Sequence, residues 1–153
     1  MKKIILALLV FTVAGVNTGF AAPINNLDKG QTAVGFVRGD IYAEHKLTDN
    51  FTIGVQEDDI YGQFNLKGKY RAIVGSRDYH GSHIYGGVSA ITSLAPALDG
   101  YASVIASSSF VEAQVGANYN VARNVDLNAN YSSFRPDEGR NKNRFGLGAT
   151  FKF

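Results

Sequence analysis

A chain of 153 residues with 15 Lys and Arg against 13 Asp and Glu fits one domain of nearly balanced charge. It has no cysteine, which excludes a disulfide-stapled mini-domain, and so small a net charge offers no electrostatic footprint for nucleic acid. Its 17 Gly, 8 Tyr and 10 Phe, with no Trp and three Pro, suit β-structure with tight turns better than helices.

The first element in chain order is an export signal. Lys2 and Lys3 precede an apolar run from Ile4 to about Val16, and small residues stand at Gly19 and Ala21. The run is too short for a membrane helix, which needs about 20 residues. Residues 1–22 therefore read as a signal peptide, cut after Ala21 or Ala22, and residues 23–153 as the working domain. Loss of Lys2 and Lys3 leaves 13 basic against 13 acidic residues.

Alternation with period two dominates the rest of the chain, and no long 3.6-period stretch appears. Ten strands are predicted, near 31–38, 40–47, 51–57, 60–66, 69–77, 83–92, 100–107, 109–120, 124–134 and 143–153. The third sets Phe51, Ile53 and Val55 against Thr52, Gly54 and Gln56. The fourth sets Ile60, Phe64 and Leu66 against Tyr61, Gln63 and Asn65. The pattern is cleanest in the last third, where Val125, Leu127, Ala129 and Tyr131 oppose Asp126, Asn128, Asn130 and Ser132. The facing of 31–38 and 100–107 is ambiguous.

Turns separate the strands. Gly39-Asp40 suits a two-residue hairpin, and Glu57-Asp58-Asp59 reads as a charged turn. Residues 77–82 and 135–143 read as longer polar loops, and residues 93–100 as a loop containing Pro96.

The polar faces carry full charges well inside strands: Glu44, Lys46, Arg71, Glu112, Asp126, Arg144 and Lys152. The opposite faces carry aromatics near strand ends, among them Phe51, Tyr119, Tyr131 and Phe145. Outward apolar residues with aromatic girdles around a polar interior are the pattern of a transmembrane barrel. Closure is then required, because lipid leaves no partner for an open sheet edge.

The export signal, the alternating strands and the closing ATFKF together resemble small outer-membrane β-barrels of the Gram-negative type, without matching one characterised family. The resemblance implies an all-β, closed, antiparallel up-and-down transmembrane barrel of about ten strands. Several segments have only seven or eight residues where about 9–11 are expected. Eight longer strands, with one early hairpin outside the barrel, is therefore the alternative. The resemblance also implies location in the outer membrane, contact with its lipid, and a monomer. Phe151 and Phe153, with Leu147 and Ala149, resemble the terminal signal read by the barrel-assembly machinery, with periplasmic chaperones as partners during biogenesis.

For the interior charges two readings stand: a plug of paired side chains filling a small barrel, or a narrow porin-like pore with charge-based selectivity. No enzyme activity and no cofactor is expected. His80 and His83 are too few for a metal site. With Ser82 they could serve a barrel enzyme acting on envelope lipid, but no acid is placed by sequence to orient either histidine. A soluble secreted β-sandwich is the remaining alternative. Arg38-Gly39-Asp40 spells an adhesion tripeptide that turn geometry explains as well. Asn50-Phe51-Thr52 and Asn130-Tyr131-Ser132 fit a glycosylation pattern inside or beside strands.

Overall fold

The computed structural model describes residues 21–153. Residues 1–20, which hold most of the expected export signal, lie outside it. The described chain forms ten strands: Thr32–Val37 (β1), Asp40–Lys46 (β2), Phe51–Gln56 (β3), Asp59–Asn65 (β4), Tyr70–Asp78 (β5), Ser82–Ala95 (β6), Leu98–Ser107 (β7), Phe110–Ala122 (β8), Val125–Pro136 (β9) and Lys142–Lys152 (β10). Each pairs antiparallel with its neighbours in sequence, and β1 pairs with β10 through Ala33↔Lys152 to Val37↔Gly148. The sheet is a closed up-and-down barrel. The eight-strand alternative is overturned, because the early hairpin β1–β2 is part of the wall: β2 pairs onward with β3, and β1 with β10.

Several boundaries move. The first hairpin turns at Arg38-Gly39, one residue before the expected Gly39-Asp40, and Asp40 already pairs with Val37. Arg38 (φ 57) and Gly39 (φ 93) both take positive φ, as a primed two-residue turn requires. The loop expected over residues 93–100 shrinks to Pro96-Ala97, since β6 runs to Ala95 and β7 starts at Leu98. Asp59, expected in a turn, belongs to β4, where it faces Arg77 of β5, the last residue of the predicted strand 69–77, in register.

The wall has two heights. Strands β1 to β4 have six or seven residues each, whereas β6 to β10 have 10 to 14. Ten strands put the start of β1 and the end of β10 at one end of the barrel, here called the terminal end.

Alternation then sorts side chains into an apolar exterior and a polar interior. Ile60, Phe64, Ile84, Val88, Phe145 and Leu147 are exposed, while Glu44, Gln56, Gln63, Arg77, Glu112 and Gln114 are each 2% exposed or less. This inverts the distribution of a water-soluble domain, whose charged residues are almost never fully buried.

Tyrosines set the inner surface. Tyr42 lies over Gly35, Tyr61 over Gly54, Tyr85 over Gly75 and Tyr101 over Gly116, each the directly paired residue of the adjacent strand. A Cβ on Gly35 would stand 2.6 Å from the Tyr42 ring. Glycine is needed there for close approach: the ring lies flat along the neighbouring strand, and its hydroxyl reaches into the lumen.

Candidate functional site

The barrel interior holds the chemistry, in three layers. Nearest the terminal end, Lys152 on β10 meets Asp126 on β9 at 2.6 Å, and Asn120 donates to the other Asp126 oxygen at 2.8 Å. Deeper, Glu44 on β2 accepts from Tyr61 and Gln63 on β4 and from Asn25, each at 2.8 Å. Arg71 on β5 donates to the Gln63 side-chain oxygen at 3.0 Å. Towards the opposite end, Arg77 bridges Asp59 and Glu112, both at 2.7 Å, and Tyr85 donates to Asp59 at 2.7 Å. Each of these buried charges thus has charged or multiple neutral partners, as burial demands.

Beyond the Arg77 layer stands a group of aromatic rings, with Arg38 and Ser132 hydrogen-bonded at the same end. Phe110 and Phe134 stack at 5.2 Å between centroids, and Tyr79 meets Phe134 edge-on at 5.1 Å. The Arg77 guanidinium carbon lies 5.3 Å from the Phe110 centroid, so this aromatic lid also covers the buried cation.

The remaining interior is taken by a stretch to which the sequence pattern assigns no place. Residues 21–28, ahead of β1, run into the lumen from the terminal end. Ala22, Ile24, Asn25 and Leu27 are 5% exposed or less. The segment joins no ladder. Instead, wall side chains donate to its carbonyls: Gln114 to Ala21 at 2.9 Å, Asn118 to Ile24 at 2.8 Å, Arg71 to Asn25 at 2.8 Å, Lys152 to Asn26 at 3.3 Å and Lys46 to Leu27 at 2.7 Å. The Ala21 N–H donates to Glu112 at 3.0 Å. The cavity beside Ala22, Tyr61, Ile73 and Tyr85 measures about 20 Å3, room for one water.

Of the seven charges singled out from sequence, Glu44, Arg71, Glu112 and Asp126 are buried in the interior, and Lys46 and Lys152 stand half-buried at the terminal mouth. Glu44, Lys46, Arg71, Glu112 and Lys152 all hold residues 21–28. Arg144 is half-buried on β10, where its backbone pairs with Ser132. Sequence reading missed Asp59 and Arg77, although Asp59 is two residues before Tyr61 on the same face. Phe151 pairs with Val34 and Val125 and is exposed; Phe153 exchanges backbone bonds with Thr32.

The smaller motifs find plain structural places. Arg38 donates to Ser132 at 2.9 Å and Asp40 is 3% exposed, so the tripeptide is not displayed. Asn130 faces the interior at 2% exposure, which leaves no room for a glycan. His83 Nδ1 meets Ser109 Oγ at 3.0 Å, whereas Ser82 pairs with Ser76. The alternative grouping of His80, Ser82 and His83 therefore does not form, and among the described residues no ion pair involves a histidine. Nor do the described residues contain a cluster of metal-ligating groups.

No family model matches the chain, and no curated protein matches it. Among solved structures the chain is similar to one described as "De novo design of transmembrane beta-barrels", at 14% identity and a TM-score of 0.43, over 83% of this chain and 98% of that one. The closed barrel of the present chain rests on its own strand pairing.

Proposed function

We propose that this chain is a non-enzymatic, integral outer-membrane β-barrel with a structural role and a closed lumen. One observation carries the reading: the described residues put apolar side chains outside and paired charges inside. An exterior bearing Phe36, Ile60, Ile84, Val88, Val115, Leu147 and Phe151 is costly in water and favourable in lipid. The lumen supports a structural role over a porin-like one, because its charges are spent on one another and on residues 21–28. Lipid is then the partner of the outer wall. The barrel-assembly machinery and periplasmic chaperones are the partners during biogenesis, and the terminal end is periplasmic.

Cell fractionation with heat-modifiable gel migration tests the location. The expected result is a membrane-bound protein whose migration shifts on boiling. Recovery in the soluble fraction without a shift would overturn the reading. Planar-bilayer recording tests the closed lumen, and discrete conductance steps would replace it with a narrow pore.

A further inference from the structure

The grip on residues 21–28 is directed at its main chain. The donors that wall strands send to it come from β2, β5, β8 and β10, and each ends on a carbonyl. Lys46, Arg71, Gln114, Asn118 and Lys152 thus read an extended backbone rather than a sequence. One side chain of the segment is specified by a charge: Asn25 donates to Glu44. Without strand-type ladder bonds, the segment is fixed by separable contacts and by burial of Ala22, Ile24 and Leu27. At the far end the Arg77 bridges and the Phe110–Phe134 stack close the lumen, and Glu112 joins this closure to the segment, holding Arg77 with one oxygen and the Ala21 N–H with the other.

From this geometry we infer that the interior is a blind binding cup for an extended peptide, open at the terminal end, and that residues 21–28 are its exchangeable resident ligand. The ligand class is an extended polypeptide with small or aliphatic side chains and an amide where Asn25 meets Glu44. Vacating the cup exposes a polar, peptide-reading surface without opening a channel. The inference rests on the barrel interior alone and not on the membrane reading, so the failure of either leaves the other standing.

The test uses residues 23–153, the chain left when the expected signal peptide is cut after Ala22, which contain no cysteine. Ile24→Cys is placed in the resident segment and, in a separate chain, Lys67→Cys in the exposed turn between β4 and β5. Both are refolded in detergent micelles, with folding checked by heat-modifiable migration, and labelled with a maleimide. The expected Ile24→Cys rate is on the order of tenfold or more below that of Lys67→Cys, as for a site that labels only when it opens locally. A synthetic peptide of residues 22–29 should raise that rate saturably by competing for the cup. Adding Asn118→Ala, which removes one carbonyl-directed donor, should raise it several-fold without peptide, on the scale of one lost hydrogen bond. Labelling as fast as the control would overturn the buried ligand. A rate that no peptide concentration changes would overturn exchange, and one indifferent to Asn118→Ala would overturn backbone recognition. Leu27→Cys, also buried in the segment, serves as a second reporter if Ile24→Cys fails to fold.

Discussion

Arg77 on β5 and Glu112 on β8 meet at 2.7 Å across the lumen, with two strands lying between them in the wall. Backbone ladders join only neighbouring strands, so this bridge ties together parts of the cylinder that the ladders leave apart. Both side chains are 1% exposed or less. Arg77→Met would leave Asp59 and Glu112 buried with no cation between them. The expected cost is about 3–5 kcal/mol, measured by urea unfolding followed by far-UV circular dichroism. Asp59→Asn with Glu112→Gln in the same chain should recover most of it, because the penalty comes from stranded charge. A triple variant as unstable as Arg77→Met would assign the loss to packing instead.

The Tyr–Gly pairs make a steric prediction. A Cβ on Gly116 would overlap the Tyr101 ring, whereas one on Gly86, outward on β6, would find its nearest atom, Ile73 O, 3.9 Å away. Gly116→Ala should destabilise by about 1–3 kcal/mol, as overpacking does, and Gly86→Ala by much less. In a double-mutant cycle Tyr101→Ala should shrink the cost of Gly116→Ala without abolishing it, since the ring is the nearest obstacle and the Ala129 carbonyl oxygen, 2.8 Å from that Cβ, stays in place. Additive effects would show that the glycine serves its own backbone and not the tyrosine.

These two cases mark what the sequence makes legible. Alternation alone found ten strands and the inward side of Glu44, Glu112 and Asp126, because period two is a local property. Asp59 and Arg77 were hidden by composition: Glu57-Asp58-Asp59 looks like a solvated turn until Arg77, 18 residues later, is known to sit opposite. The sequence pattern ends β6 too early and starts β7 too late, because Ser93 to Ala95 and Leu98-Asp99 beside Pro96 read as loop although the wall runs on to Ala95 and resumes at Leu98. The lumenal place of residues 21–28 could not be read at all. The segment has no period, and its partners Arg71, Gln114 and Lys152 are 46 to 126 residues away. Only closure brings them together. The tyrosine pairs left one signal, a Tyr on one strand with a Gly opposite, readable only once register is known.

The uneven wall bears on the membrane reading. At about 3.3 Å per residue and a tilt near 40°, the six or seven residues of β1 to β4 rise about 15–18 Å, against an apolar band of about 25 Å. A mismatch near 8 Å at a few tenths of a kcal/mol per Å comes to about 2 kcal/mol. The barrel should accordingly be more stable by about that amount in short-chain dilauroyl vesicles than in dioleoyl vesicles, measured by urea titration in each lipid. Equal stability in both would mean that the β1–β4 side does not span the hydrocarbon.

Phe153 combines two roles that one experiment must separate. Its carbonyl accepts from the Thr32 N–H at 2.8 Å and its N–H donates to the Thr32 carbonyl at 2.9 Å, so this residue completes the β1–β10 seam. Its ring is 46% exposed at the terminal end. Deleting Phe153 removes both bonds and the ring together, and should lower both assembly into the outer membrane and the stability of the folded barrel. Phe153→Ala keeps the seam and removes only the ring. If the ring is what the assembly machinery reads, Phe153→Ala should lower the assembled fraction in cells several-fold. Its urea unfolding in vesicles should stay within about 1 kcal/mol of the parent, as for a half-exposed side chain that loses part of its apolar contact. Loss of folded stability to match the loss of assembly would reassign Phe153 to the wall, and an unchanged assembled fraction would leave the ring with no part in targeting.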